Sequence, residues 1–335
     1  MSLAHRVMVV GAGSIGERHV RCVLATGRAE LCFVEPRADV RAAVAARYPT
    51  SAAFASVDAA RAFGATAAVI ATPAPLHVPL AAQLVERGAH VLIEKPLSLN
   101  CDGIAELGEA ARSRGLIVGV AYVYRAHPVL ADMRRAIASG AFGRPVELVA
   151  VAGQCFPFYR PALRQTYYAR REFGGGAVQD ALTHVLDAGQ WLVGRIDRVV
   201  ADAGRLILDG VEVEDTVHVL ARQGNVLATY SLNQHQAPNE LTITVVCERG
   251  TARFQNHAAR WRSMEQPGGE WTDRAVAALE RDTLFTRQAE AFLDAIEAKC
   301  APLCSLDEGL DALRATTAIL RSVDEGGWRP TSVEA

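Results

Sequence analysis

The chain has 335 residues, half of them hydrophobic, and its 35 Lys and Arg against 37 Asp and Glu give a formal net charge of −2. This length suggests two domains, and the small net charge argues against nucleic acid or an anionic membrane as a partner. No apolar run approaches the roughly 20 residues that cross a bilayer. The chain also enters its first predicted strand too early for a signal peptide, so we expect a cytoplasmic protein.

Seven cysteines are spread among apolar neighbours. An odd number without regular spacing is typical of reduced, mostly buried thiols. Cys300 and Cys304 are four residues apart, but a structural zinc site needs four ligands and no second pair is near. We therefore predict no metal site.

The first predicted strand leads into a glycine-rich turn. Residues 7–10 form a short apolar run, typical of a strand buried on both faces. Three glycines follow in the spacing G-x-G-x-x-G: Gly11, Gly13 and Gly16. In a dinucleotide-binding turn the first glycine permits a tight turn, the second lets a pyrophosphate approach the backbone, and the third lets the helix lie close to the strand. Residues 15–25 have helical periodicity, and the N–H groups at the start of that helix would face phosphates.

An acidic residue, Glu35, ends the next apolar run at residues 31–34. It lies about 20 residues beyond the glycine motif, where a carboxylate accepts hydrogen bonds from the adenosine ribose, and this favours NAD. Arg37 could instead bind a ribose phosphate, so NADP stays open. The alternative is a glycine turn that binds no ligand. The predicted cofactor-binding residues of this stretch are Gly11, Gly13, Ser14, Ile15, Gly16, Glu35 and Arg37.

Strands and helices alternate as far as about residue 122. Further strands are predicted at 67–71, 90–95 and 116–122. Further helices are predicted at 38–47 and 77–87. Another helix is predicted to run to residue 114 from a cap at Asn100 or Asp102. This alternation predicts a parallel, doubly wound sheet. Ligands bind at the carboxyl ends of such strands, where Thr72-Pro73-Ala-Pro75 and Glu94-Lys95-Pro96 fall. Lys95 is either a reactive group or an ordinary surface lysine, and the Lys95–Pro96 peptide is either cis or trans.

The pattern changes beyond residue 122. The predicted strands at 146–154, 198–208, 216–222, 226–234, 241–248 and 251–254 have mostly short links, which indicates an antiparallel meander. Helices are predicted at 127–139, 177–192, 284–299 and 305–323. We therefore predict a domain at 1–122 and an α+β domain at 123–335.

The helix predicted at 177–192 follows three glycines and carries Asp180 and His184. Residues four apart share one helix face, and a carboxylate beside an imidazole raises its basicity. Such a base suits removal of a hydroxyl proton. The alternative is an ordinary ion pair on a solvated face.

An arginine- and tyrosine-rich segment, residues 156–171, precedes these glycines. Arginine forks and tyrosine hydroxyls suit a polar or carboxylated sugar, although the same residue types also serve interfaces. The candidate substrate contacts here are Tyr159, Arg160, Arg164 and Tyr167.

Together and in this order, these motifs resemble those of the Gfo/Idh/MocA oxidoreductases. The resemblance implies a Rossmann domain followed by a domain with an open, mostly antiparallel sheet that forms a homodimer or homotetramer interface. It implies NAD(P)-dependent oxidation or reduction of a sugar, a polyol, a sugar acid or a nucleotide sugar.

By position, Lys95, Asp180 and His184 match the family's catalytic residues, which also contact substrate. The segments that hold Thr72, Pro73, His77, Glu94 and Lys95 match those that touch the cofactor. Arg125 lies in the short motif after the last Rossmann strand and is a further candidate substrate contact. Val123 departs from the asparagine that is common two residues before this arginine.

The resemblance implies that His184 takes a hydroxyl proton while hydride leaves the same carbon, and that Lys95 stabilises the developing alkoxide. Lysine and histidine could exchange these roles, and Asp180 orients either the imidazole or a substrate hydroxyl. Two alternatives remain: a non-catalytic dinucleotide-binding regulator, and glycoside cleavage through transient oxidation.

Overall fold

A computed structural model describes residues 5–49, 51–275 and 279–332. The expectation that the chain lacks a signal peptide depends on its first four residues, which lie outside the described residues. The chain divides into two compact units: Met1–Ala126 with Glu280–Leu310, and His127–Leu279 with Asp311–Ala335.

The described strands are β1 (His5–Val10), β2 (Ala29–Val34), β3 (Ala52–Phe54), β4 (Ala67–Ile70), β5 (His90–Ile93), β6 (Val118–Val120), β7 (Pro145–Gly153), β8 (Arg198–Gly204), β9 (Thr216–Gln223), β10 (Val226–Asn233), β11 (Glu240–Cys247), β12 (Gly250–Gln255), β13 (Arg260–Met264), β14 (Thr272–Ala275) and β15 (Arg329–Pro330). The described α-helices are α1 (Ser14–Ala25), α2 (Ala38–Arg47), α3 (His77–Glu86), α4 (Ile104–Ser113), α5 (Pro128–Ala138), α6 (Phe156–Tyr159), α7 (Thr183–Val193), α8 (Thr283–Ile296) and α9 (Leu306–Glu325). A π-helix, Ala177–Leu182, directly precedes α7.

The first unit contains a six-stranded parallel sheet in the order β3-β2-β1-β4-β5-β6. In β1, Val7 lies opposite Leu31 on one side and opposite Ala67 on the other. All three of these side chains are buried, as expected where helices cover both faces. The predicted parallel, doubly wound sheet is confirmed, and the carboxyl ends of its strands lie at one edge.

Helix α8 packs in the first unit, although it follows the second sheet in the sequence. Its apolar residues Phe292 and Leu293 belong to the same buried cluster as Val9 and Leu31. The first unit therefore consists of the chain up to Ala126 together with Glu280–Leu310. The predicted division instead placed every residue after 122 in the second domain. Periodicity predicts an apolar helix face but not the core that covers it.

The second unit contains a nine-stranded sheet in the order β14-β13-β12-β11-β7-β10-β9-β8-β15. The predicted mostly antiparallel sheet is confirmed, but the simple meander is wrong. Strand β7 lies between β10 and β11, parallel to the first and antiparallel to the second. The link from β10 to β11 therefore passes the end of β7. Link lengths do not reveal this order, because β7 pairs with residues that are distant in the sequence.

One predicted helix cap is also wrong. Helix α4 begins after Gly103, which has a φ of 72° and forms no side-chain cap. The Asn100 side chain instead accepts a hydrogen bond from the backbone N–H of Asp102 at 3.1 Å. None of the helices in the described ranges is long and apolar enough to cross a membrane.

Candidate active site

The glycine-rich turn between β1 and α1 is shaped by two close approaches. Gly11 has a φ of +89°, and a Cβ there would lie 2.7 Å from the Ala71 carbonyl oxygen. A Cβ at Gly16 would lie 1.8 Å from the Gly11 carbonyl oxygen. Among the described residues no atom lies within 4 Å of a Cβ built at Gly13. The protein's own packing therefore requires the first and third glycines, and the second leaves backbone open to solvent beside Ser14 and Ile15.

Glu35 follows β2 and turns its carboxylate toward the glycine turn. One oxygen accepts a hydrogen bond from the Ala12 N–H at 3.1 Å. The other accepts from Arg37, through the backbone N–H at 3.2 Å and through Nε at 2.9 Å. Burial acts to raise the pKa of Glu35, but the hydrogen bonds from Arg37 and Ala12 outweigh it and lower that pKa. Glu35 is thus an ionised carboxylate held at the sheet edge, and Arg37 is paired with it.

His77, at the start of α3, joins the segments that follow β4 and β5. Its Nε2 lies 2.8 Å from the Thr72 carbonyl oxygen, and its Nδ1 lies 2.9 Å from that of Pro96. Burial lowers the pKa of His77. The buried Thr72 hydroxyl has no hydrogen-bond partner among the described residues. Pro73 beside it is exposed.

Glu94 ends β5 in a buried hydrogen-bond network. One of its oxygens lies 2.7 Å from His19 Nε2, and the other accepts from the Lys95 backbone N–H at 3.0 Å. His19 lies on α1, and Phe285 of α8 packs edge-on against its ring. The Glu94 carboxylate therefore fixes the backbone of Lys95, whose side chain is half-buried. The peptide bond between Lys95 and Pro96 is cis.

Arg125 is buried and directed into the first unit. Its guanidinium pairs with Glu308 and donates to the Leu303 carbonyl oxygen at 3.1 Å. Both partners are more than 170 residues away in the sequence, so the short motif around Arg125 held no sign of this pairing.

Close approaches also explain two of the three glycines before the π-helix of the second unit. A Cβ at Gly175 would lie 2.2 Å from the Tyr168 carbonyl oxygen, and one at Gly176 would lie 2.5 Å from Glu214 Oε1. That oxygen also accepts a hydrogen bond from the Val178 N–H at 2.9 Å, near the start of the π-helix. Burial raises the pKa of Glu214. No sequence motif had marked Glu214.

Asp180 lies in the π-helix and is only 1% exposed. One of its oxygens accepts a hydrogen bond from the Tyr167 hydroxyl at 2.6 Å, and the other accepts from Arg160 Nη1 at 3.2 Å. Coulombic attraction to Asp180 raises the pKa of Arg160. Burial and the same carboxylate raise the pKa of Tyr167, so its hydroxyl keeps its proton. Two of the predicted substrate contacts therefore bind a predicted catalytic carboxylate.

The other candidates in this unit have different surroundings. His184 lies half-buried on α7. Tyr159 is exposed and packs edge-on against Phe158. Arg164 donates through Nε to the Asp209 carbonyl oxygen at 2.6 Å. Neither of these two loop residues is joined to Asp180 by a hydrogen bond within the described part of the chain.

The structure joins three sequence candidates of the second unit by hydrogen bonds, namely Arg160, Tyr167 and Asp180. In the first unit the glycine turn, Glu35, Thr72 and Glu94 lie at one sheet edge. His19 and Glu214 were missed because their partners lie at least 36 residues away in the sequence. Within the described ranges, no three His, Cys, Asp or Glu side chains are arranged to hold a metal ion. All seven cysteines fall in those ranges, and none of them forms a disulfide.

Two family models match the chain. Residues 5–122 match the oxidoreductase family with an NAD-binding Rossmann fold, and residues 130–253 match the GFO/IDH/MocA C-terminal domain. The expectation of an NAD-binding Rossmann domain is therefore confirmed.

The chain is similar to proteins that act on inositols and to one solved complex. It is 28% identical to inositol 2-dehydrogenase of Corynebacterium glutamicum (strain R) over 311 residues, which cover 88% of this chain and 87% of that protein. It is 30% identical to myo-inositol dehydrogenase Hyg17 of Streptomyces leeuwenhoekii over 250 residues, 73% and 74% of the two chains. The WlbA dehydrogenase of Bordetella pertussis, solved with NADH and UDP-GlcNAcA, is 26% identical, with a TM-score of 0.84 over 98% of this chain and 99% of that one.

Proposed function

The chain belongs to the Gfo/Idh/MocA family of oxidoreductases, and from this premise we propose that it transfers hydride between NAD and a hydroxyl-bearing carbon of a polyol or sugar. The observation that carries the proposal is the similarity to inositol 2-dehydrogenase, which extends over 88% of the chain and so over both units. The presence of Lys95, Asp180 and His184 supports a catalytic rather than a purely regulatory protein.

The residues at the first sheet edge fit NAD. Gly13 leaves room beside the backbone for a pyrophosphate. Glu35 is an ionised acceptor suited to two ribose hydroxyls, and it would repel the extra phosphate of NADP. The buried Thr72 hydroxyl, without a partner among the described residues, is a further polar contact. Bound NAD supplies a nicotinamide that accepts or donates hydride.

We assign the catalytic roles as follows. The Lys95 ammonium donates a hydrogen bond to the substrate oxygen and stabilises negative charge there. The His184 imidazole takes the hydroxyl proton in the direction of oxidation. Arg164 and Tyr159 of the exposed loop are available to substrate hydroxyls. His77 and Arg125 support the site through protein contacts.

The experiment is a panel of inositols, sugars, sugar acids and nucleotide sugars with NAD and with NADP, followed by the absorbance of the reduced nicotinamide. We expect reduction with at least one polyol or sugar, and a lower KM for NAD than for NADP. A product formed without net nicotinamide reduction would indicate glycoside cleavage instead. No bound or reduced nicotinamide under any condition would contradict the proposal.

The catalytic assignment is tested with Lys95→Met and His184→Ala. We expect each to lower kcat at least a hundredfold, since each removes a group that acts on the reacting oxygen. The chain's other lysine, Lys299, provides the control, because it is exposed and bonded to Asp294. Lys299→Met should turn over like the wild type. Near-normal rates in the first two variants would remove those residues from the chemistry.

We further propose a homodimer or homotetramer that forms through the second sheet, in the cytoplasm. Exposed leucines on one face of that sheet, Leu220 and Leu227, support the assembly. Seven cysteines that form no disulfide among the described residues support a reducing compartment.

A further inference from the structure

We propose that Arg160 and Tyr167 form a clamp that holds Asp180 as a buried anion, and that both are positioning residues for the reaction. The inference rests on the proposed function, because positioning has a meaning only if the site turns over a substrate.

The first observation is the division of the two carboxylate oxygens between two donors. Tyr167 donates to Oδ1 at 2.6 Å and Arg160 donates to Oδ2 at 3.2 Å. Hydrogen bonds to a charged acceptor are shorter and stronger than neutral ones. Removal of either donor leaves a buried charged oxygen with one partner fewer, which is costly.

The second observation is the difference in exposure between the carboxylate and its donors. Asp180 is 1% exposed, whereas the Arg160 side chain is 48% exposed and Tyr167 is 42% exposed. The clamp therefore lies between the carboxylate and solvent. A solute that approaches from solvent meets the guanidinium and the phenol before it meets Asp180.

The third observation is that the clamp is itself supported. The Arg160 guanidinium lies over the Phe156 ring, 4.8 Å from its centroid. Phe156 in turn packs with Tyr168 and Leu163 in a small buried cluster. A cation that stacks on an aromatic ring loses less conformational freedom when it also binds a carboxylate.

These contacts favour one of the two roles open to Asp180. With a donor on each oxygen and the carboxylate only 1% exposed, these contacts favour a role for Asp180 in orienting neighbouring groups over direct contact with a substrate hydroxyl. Its charge acts instead on neighbouring groups. These are Arg160 and Tyr167 in contact, Tyr168 beside them, Glu214 at the start of the π-helix, and His184 four residues further along.

The test compares Arg160→Met and Tyr167→Phe with the wild type, using the substrate found above. We expect each variant to lower kcat about tenfold with the KM for NAD within twofold. The pH below which kcat falls should rise by about one unit, because loss of a donor makes the carboxylate easier to protonate. A less restrained Asp180 would also favour the imidazolium of His184, which shifts the profile in the same direction. Arg160→Lys keeps the charge and should restore part of the loss.

Two matched controls separate this effect from a general loss of charge or of a tyrosine hydroxyl. Arg170→Met removes an exposed cation of the same loop whose nearest carboxylate is Glu172. Tyr48→Phe removes a hydroxyl that donates to the Glu17 carboxylate in the other unit. If the two clamp variants have the kcat and pH profile of these controls, the clamp has no positioning role.

A second measurement separates this inference from the proposed function. Urea unfolding of Arg160→Met, Asp180→Asn and the double variant tests the contact without turnover. We expect the double variant to lose less stability than the two single losses combined. Additive losses would overturn the clamp even in an active enzyme. A wild type without turnover would overturn the proposed function and the positioning role together, whatever the unfolding data show.

Discussion

Three buried carboxylates among the candidate residues are each balanced by a different set of donors. Glu35 uses backbone N–H groups and Arg37, Glu94 uses an imidazole and one backbone N–H, and Asp180 uses a guanidinium and a phenol. All three are at least 95% buried. Since a buried charge without its partner costs more free energy than the pair gains, these partners are the sensitive positions of the site.

His19→Leu should lower the free energy of unfolding by about 2 kcal/mol or more, because one oxygen of the buried Glu94 carboxylate loses its donor. Urea unfolding measures the change. His257→Leu is the control, since His257 is exposed and its loss should cost within about 0.5 kcal/mol. Equal losses in the two variants would show that the His19–Glu94 contact contributes nothing.

Glu35→Ser should raise the KM for NAD about tenfold, because two hydrogen bonds to a charged acceptor are lost, while kcat stays near the wild-type value. The KM for NADP should fall, since the carboxylate no longer repels the extra phosphate and Arg37 is released to bind it. Steady-state kinetics with both cofactors measure this. Asp39→Ser, an exposed change on α2 close to Arg37, should leave both KM values unchanged.

At the scale of elements, the turn before the π-helix is a tightly packed segment of the second unit. Gly175 and Gly176 allow the 168–170 backbone and the Glu214 side chain to approach closely. Glu214 then accepts from Val178, and the π-helix that begins there carries Asp180. Short π-helical segments occur often at functional sites, and here one determines where the buried carboxylate lies.

Gly176→Ala should destabilise the protein through two effects. Its φ of +93° disfavours a side chain, and the new Cβ would lie 2.5 Å from Glu214 Oε1. Gly224→Ala is the control for the first effect alone, because Gly224 has a φ of +59° and, among the described residues, no atom within 4 Å of the added Cβ. We expect about 1 kcal/mol for Gly224→Ala and at least twice that for Gly176→Ala, with loss of kcat only in the latter. Equal costs in urea unfolding would show that the approach of Glu214 is unimportant.

At the scale of the whole molecule, the second sheet leaves two leucines exposed on one face. Leu220 of β9 and Leu227 of β10 alternate with buried residues and lie on the same face, 52% and 51% exposed. Val149 of the neighbouring β7 lies opposite Thr229 in the same region. Exposed leucines on a sheet face make that face a candidate surface for another protein chain.

The double change Leu220→Lys with Leu227→Lys should lower the mass of the proposed assembly, because it places charges on that face. Light scattering after size exclusion gives the mass. Leu206→Lys is the control, since Leu206 is exposed on a loop outside the sheet and should keep the assembly of the wild type. A double variant with the wild-type mass would exclude this face as the interface.

Local patterns in the sequence were sufficient for five of the six strands of the first sheet, whereas the short β3 was not predicted. Short apolar runs predicted those five strands, the spacing of Gly11, Gly13 and Gly16 predicted the turn, and Glu35 and Lys95 followed as strand-end residues. These features depend on residues close together in the chain, whose geometry periodicity and glycine spacing report directly.

Contacts between residues that are distant in the sequence determined the features that local patterns did not predict. Strand β7 lies between β10 and β11, α8 completes the first core, and Arg125 pairs with Glu308, 183 residues away. Arg160 and Tyr167 were predicted to bind substrate from their residue type, but only the folded chain directs them to Asp180. An arginine or tyrosine carries the same donors whatever it faces, so its partner is determined by tertiary packing and not by its neighbours in sequence.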